Sequence, residues 1–233
     1  MKKKIIDFLN LKPIKEPLQI PRLSADTNVL AQLKEFIHYS EFKRILDKVV
    51  THHLEHKTKS IAILSELPGE GKTLFTAALA AGLSELLKIK ILVVNTQTFQ
   101  APNHMSLEHA LEIDELFSGT KKPIQKTLLV NTDVLPASSL QEAKTGLTEY
   151  KIGEIIEKYT KVYGLLIFDT SALSARNKNN IDPWVIARHV DTNLLVVGRH
   201  TIRKNLSPHF YERKSTNNLK IAGLIFNEGT RHE

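Results

Sequence analysis

The 233-residue chain has no cysteine, one tryptophan and two methionines. The lack of cysteine excludes a disulfide framework and thiol catalysis, and it suits a cytosolic protein. Long apolar runs are also missing. Each falls well short of the roughly 20 residues that a membrane-spanning helix needs. The N-terminal stretch "MKKKIIDFLNLKPIKEPLQ" lacks the apolar core and the small-residue cleavage site of a signal peptide. Aromatic residues make up only 6%, and no basic stripe is interleaved with them. A nucleic-acid platform would want that pattern, so no nucleic-acid partner is expected.

What is present is an ordinary globular composition, with 42% hydrophobic and 24% charged residues. That is enough to bury a proper core. The net charge of +7 allows attraction to an anion. The lysines are scattered, however, and a merely basic surface accounts for them better.

Residues 1–26 carry several prolines and mixed charge and read as an extended arm. The segment "KKKIIDFL" could alternatively be a short basic amphipathic anchor. Residues 27–233 read as a single domain with a helical N-terminal extension. Leu30, Leu33, Ile37, Phe42, Ile45, Leu46 and Val49 recur at helical intervals over 28–56. His52, His53 and His56 follow, and a solvated helix end explains them better than a metal site does. Short apolar runs then alternate with helical segments: "IAIL" (61–64), "ILVV" (91–94), "LLIF" (165–168), "LLVV" (194–197) and "IAGLIF" (221–226). This predicts an α/β fold, a mainly parallel sheet with helices on both faces.

The densest signal is "SELPGEGKT", residues 65–73. It lies between the strand "IAIL" and the Ala/Leu-rich helix "TLFTAALAAGLSELLK" (73–88). Gly69 and Gly71 permit backbone angles closed to other residues. Their N–H groups and the first helical turn can surround phosphate oxygens. Lys72 can reach the β- and γ-phosphates, and Thr73 can offer its hydroxyl to Mg²⁺. The usual pattern G-x-x-x-x-G-K-[ST] has glycine where this chain has Glu66. Asp169, directly after "LLIF", can supply the second oxygen ligand that Mg²⁺ requires.

The order of these motifs resembles the bacterial tyrosine kinases of capsule and exopolysaccharide systems, relatives of the MinD/ParA ATPases. Those kinases carry S-x-x-P-G-x-G-K-[ST], which matches Ser65 to Thr73 with Glu66 in place. MinD/ParA proteins have a signature lysine where this chain has Leu67. "EFKR" (41–44) is similar to the start of the kinases' E-x-x-R-x-x-R ring-forming helix, although Asp47 stands at the third basic position. Residues 116–137, "FDTSA" (168–172), "IDPWVIARHVDTNLLVVGRHT" (181–201) and "IAGLIFN" (221–227) resemble further family segments. The family's V-D-x-D-x-R-x-P motif reads "VVNTQTFQAP" here, so Asn95 and Gln97 replace both aspartates and Phe99 replaces the basic residue. The family's terminal tyrosine cluster has no match in "NEGTRHE".

The resemblance implies a P-loop fold of the MinD/ParA and tyrosine-kinase type that uses ATP and Mg²⁺. It implies nucleotide contacts at Pro68, Gly69, Glu70, Gly71, Lys72, Thr73, Leu74 and Asn227. Metal ligation falls to Thr73 and Asp169, and catalytic positions to Lys72, Asp169 and Asn95. The implied partners are ATP or ADP, the cytoplasmic segment of a membrane polysaccharide-assembly protein, and further copies of the chain. The implied location is the cytoplasm, or the inner face of the membrane. Weakened phosphoryl transfer is expected. The alternatives are a nucleotide-gated binding module and a MinD/ParA-like positioning ATPase. The roles of Glu66, Glu70 and Asp182 stay open at this point.

Overall fold

The computed structural model describes Leu33, Ile37 and residues 39–97, 124–127, 129–140, 148–175 and 181–227. The arm at 1–26, Phe99 and the terminal residues 228–233 lie outside them.

The elements in chain order are α1 (Ser40–His56), β1 (Ser60–Ser65), α2 (Lys72–Leu87), β2 (Ile91–Asn95), β3 (Gln125–Lys126), β4 (Thr132–Leu135), a 3₁₀ turn (Ala137–Leu140), α3 (Thr148–Tyr159), β5 (Leu165–Asp169), α4 (Pro183–His189), β6 (Thr192–Gly198), α5 (Arg199–Lys204), α6 (Pro208–Thr216) and β7 (Ile221–Asn227). The seven strands form one sheet in the order β3-β4-β2-β5-β1-β6-β7. Each neighbouring pair is parallel except β3 with β4. The expected α/β architecture, a mainly parallel sheet with helices on both faces, is the observed one.

Side chains alternate across a strand, so each strand feeds two cores. Ile61, Ile63, Ile91, Val93, Leu165 and Ile167 face α1 and α2. Ala62, Leu64, Leu92, Val94, Leu166 and Phe168 face the opposite layer with Trp184, Ile186 and Phe210. Both sets are buried, which explains the near-continuous apolar runs.

Helix α2 is sandwiched between the sheet and α1. Residues from Leu74 to Ser84 are buried all round it, so its sequence shows no polar face. Phe42 of α1 meets Phe75 of α2 edge to face, with centroids 6.1 Å apart. Gly82 lets the two helices approach closely. A Cβ there would lie 2.6 Å from Leu46 Cδ1.

The register decides where the site can be. Asn95 of β2 pairs with Asp169 of β5, and Ser65 of β1 pairs with Val196 of β6. Gly198 pairs with Asn227 at the end of β7. These C-terminal strand ends share one edge of the sheet. In open α/β sheets that edge, where the chain connections diverge to either side, is where ligands bind. Among the described residues no helix is long and apolar enough to cross a membrane.

Candidate nucleotide-binding site

The loop between β1 and α2 turns where its glycines allow it. Gly69 has φ +77° and Gly71 has φ +92°. Both values lie in the left-handed region that side chains disfavour. Gly71 is also the N-cap of α2. The first N–H groups of a 16-residue helix are therefore presented where β1 ends.

Lys72 is folded into this loop. It is 6% exposed, and its Nζ donates to Ser65 Oγ at 2.8 Å. Ser65 in turn donates to the carbonyl of Leu67 at 2.7 Å. Burial lowers the pKa of the lysine from its ordinary value, and the negative charges of Asp169 and Glu70 work against that shift. The result is one desolvated cation within the loop.

Thr73 and Asp169 come together as the spacing suggests. Thr73 Oγ1 donates to Asp169 Oδ2 at 2.9 Å. Asp169 is fully buried at the end of β5. Thr170 beside it donates to Ile63 O at 2.7 Å and ties β5 to β1. One hydroxyl and one carboxylate fit the sparse oxygen set with which proteins hold a nucleotide-borne Mg²⁺. These two residues would hold the ion.

Asn95 is 2% exposed. Its Oδ1 accepts the backbone N–H of Gln97 at 2.9 Å. Gln97 reaches the Thr73–Asp169 pair. Its Nε2 lies 2.9 Å from Asp169 Oδ2 and 3.4 Å from Thr73 Oγ1.

The acidic residues of unassigned role each engage backbone N–H groups. Glu70 bridges the loop, accepting from Leu67 N at 3.0 Å and from Gly198 N at 2.8 Å. Gly198 must be small for this, since a Cβ there would meet Glu70 Cγ at 3.1 Å. Asn227 donates to Glu70 O at 3.0 Å, so it lies against the loop itself. Glu66 accepts from Ser207 N at 2.9 and 3.1 Å, at the N-cap of α6. Asp182 caps α4 by accepting from Trp184 N at 2.9 Å. All three carboxylates are bonded to backbone donors.

Sequence reasoning named Ser65 in the loop pattern without giving it a role, and missed Gly198 and Ser207, which tertiary contact brings in. For Ser65 the loop pattern itself carried a signal. For Gly198 the only signal was glycine at a strand end. His52, His53 and His56 end α1 with the rings of His52 and His56 stacked at 4.4 Å. Among the described residues no three His, Cys, Asp or Glu side chains converge as metal ligands.

No protein-family model matches the chain. It is 23% identical over 207 residues to the tyrosine-protein kinase YwqD of Bacillus subtilis, covering 86% of this chain and 85% of that one. Among solved structures it is similar to the BceF tyrosine kinase domain, with a TM-score of 0.61 and 16% identity over 97% of both chains. It is also similar to the septum site-determining protein MinD complexed with Mg-ADP from Pyrococcus horikoshii, with a TM-score of 0.52 and 22% identity. That match covers 72% of this chain and 69% of that one. The fold is therefore that of tyrosine-kinase domains and MinD ATPases, the two groups that the motifs resemble.

Proposed function

We propose that this chain, similar in sequence to a bacterial tyrosine kinase, is an ATP-binding P-loop protein acting in the cytoplasm with a polysaccharide-assembly system, and that its phosphoryl transfer is weakened. The observation that carries the reading is the Thr73–Asp169 hydrogen bond beneath a loop of two left-handed glycines. A phosphate chain laid on that loop meets the N–H groups of Gly69 to Thr73, with Pro68 and Leu74 flanking them. Lys72 exchanges Ser65 for phosphate oxygens and so recovers the solvation that burial removed. Asn227, beside Glu70, stands where the base would lie. Thr73 and Asp169 are the residues that would hold a Mg²⁺ arriving with the nucleotide, and such an ion would supply positive charge to the phosphates once Gln97 had withdrawn.

The weakness lies in proton transfer. Asn95 and Gln97 do not accept a proton near neutral pH. Glu66, Glu70 and Asp182 are spent on backbone donors. This favours a nucleotide-gated binding module as the second reading, with ATP or ADP selecting between partner states. The cytoplasmic segment of a membrane protein, and further copies of the chain through the exposed Arg44 and Asp47 of α1, are the proposed partners.

Titration of ATP and ADP into wild type and Lys72→Met tests the proposal. The methionine keeps the stem and removes the charge. Charge-assisted hydrogen bonds contribute about 1.5–3 kcal/mol, so affinity is expected to fall roughly 10- to 100-fold with the thermal melt unchanged in shape. Equal affinity in a folded Lys72→Met would remove the loop from the nucleotide site.

A further inference from the structure

The side chain of Gln97 enters the floor of the phosphate loop. Its Nε2 contacts the same two oxygens that would hold a divalent cation, Asp169 Oδ2 at 2.9 Å and Thr73 Oγ1 at 3.4 Å. An ionised carboxylate only accepts hydrogen bonds, so the amide group turned toward Asp169 is the NH₂ and not the carbonyl. A partial positive charge therefore stands beside the bonded hydroxyl and carboxylate, where a cation would bring two full charges.

The residue is also held from behind. Its N–H is fixed on Asn95 Oδ1 at 2.9 Å. Thr96 is bound to the carbonyl of Asp169 twice, through its N–H at 3.1 Å and its hydroxyl at 2.8 Å. The segment 95–97 is thus fastened along the end of β5, and Gln97 does not reach Asp169 by chance rotation of a free side chain.

We infer that Gln97 is a specificity-determining residue that stands in for the cation, so that the site takes nucleoside di- and triphosphates with little dependence on Mg²⁺. This rests on the reading of the loop as a nucleotide site. Mg²⁺ gives up its water reluctantly and is drawn chiefly by carboxylate charge. Among the described residues one carboxylate faces it, already bonded to two donors, and the amide must withdraw before the ion can approach. Phosphate charge is instead met by Lys72 and by the N–H groups of the loop.

The test is ADP affinity by calorimetry in excess EDTA and in excess MgCl₂, for wild type, Gln97→Ala, Gln97→Asp and Lys72→Met. For wild type the two affinities should agree within about threefold, a difference below 1 kcal/mol. Gln97→Asp adds a charge beside the phosphates, which costs affinity in EDTA and is offset by Mg²⁺. Its ratio should widen to about tenfold or more. Gln97→Ala should lose affinity in EDTA while its apo melting temperature stays near that of wild type. A wild type that loses more than about tenfold on chelation, or a Gln97→Asp with an unchanged ratio, overturns the inference. If wild type binds ADP only with Mg²⁺ and Lys72→Met does not bind, the inference falls and the nucleotide reading stands. Absence of binding by wild type in both buffers removes both.

Discussion

Tyr163 shows how much a single side chain carries away from the nucleotide loop. Its hydroxyl donates to Asp133 Oδ2 at 2.7 Å, and Lys126 Nζ donates to both Asp133 oxygens at 2.8 and 2.9 Å. Burial first, then the hydrogen bond to Asp133 and its charge, push the phenol far above its ordinary value of 10.0. The folded state therefore holds the phenolic proton more tightly than the unfolded chain does. That stability is fully present below the unfolded value and is lost as pH rises through the folded one. Tyr163→Phe leaves Asp133 short of a donor and should cost about 1–2 kcal/mol at neutral pH. The gap between variant and wild type should narrow above about pH 10, as read by urea melts across the alkaline range. At this scale the sequence was legible where chemistry is local. Gly69, Gly71, Lys72 and Thr73 announce themselves by spacing. The bonds of Gln97 to Asp169 and of Glu66 to Ser207 join residues 72 and 141 positions apart, and no local pattern records such pairs.

Among the elements, α2 and its neighbours are the instructive case. The apolar run after the loop signals a buried helix, and β1, β2, β5, β6 and β7 are visible as runs of Ile, Leu and Val. The antiparallel β3 was not legible, because two polar residues, Gln125 and Lys126, carry no hydrophobic period. Helices α5 and α6 were equally faint, being six and nine residues long with few buried positions. The α1–α2 contact supplies the prediction at this scale. Gly82→Ala places a Cβ 2.6 Å from Leu46 Cδ1 and 2.8 Å from Cδ2, and Leu46 is itself confined at 3% exposure. Overpacking costs about 1–3 kcal/mol, and alanine returns up to about 1 kcal/mol of helix propensity. A net loss of about 1 kcal/mol is expected, seen as a melting temperature a few degrees lower. Adding Leu46→Ala should give less than the summed losses in a double-mutant cycle.

For the molecule as a whole, the question is whether it can serve as its own substrate. It carries five tyrosines. Tyr159 and Tyr163 are buried, at 8% and 6% exposure, and Tyr211 is half-buried in α6. With Asn95 and Gln97 at the two candidate acidic positions, little tyrosine autophosphorylation is expected. Mass spectrometry of protein made in a host without tyrosine kinases should find almost none. Abundant phosphotyrosine that disappears in Lys72→Met would show a working kinase. The doubly covered parallel sheet was readable from alternating strand and helix patterns alone. The direction of each side chain at the C-terminal strand ends followed only from the register of β2 against β5.

Glu70 in the loop and Asp169 at the end of β5 bear on what can stay bound. A chain of net charge +7 draws small anions of every kind toward its surface. At the loop, the one buried cation, Lys72, already feels Asp169 and Glu70. With two carboxylates beside one ammonium, a lone phosphate or sulfate is expected to gain little by entering. On the proposed reading, a ligand long enough to engage the glycine N–H groups, Lys72 and the end of β7 together would collect more contacts. The loop would then select anions by length, which titration of phosphate against ADP checks.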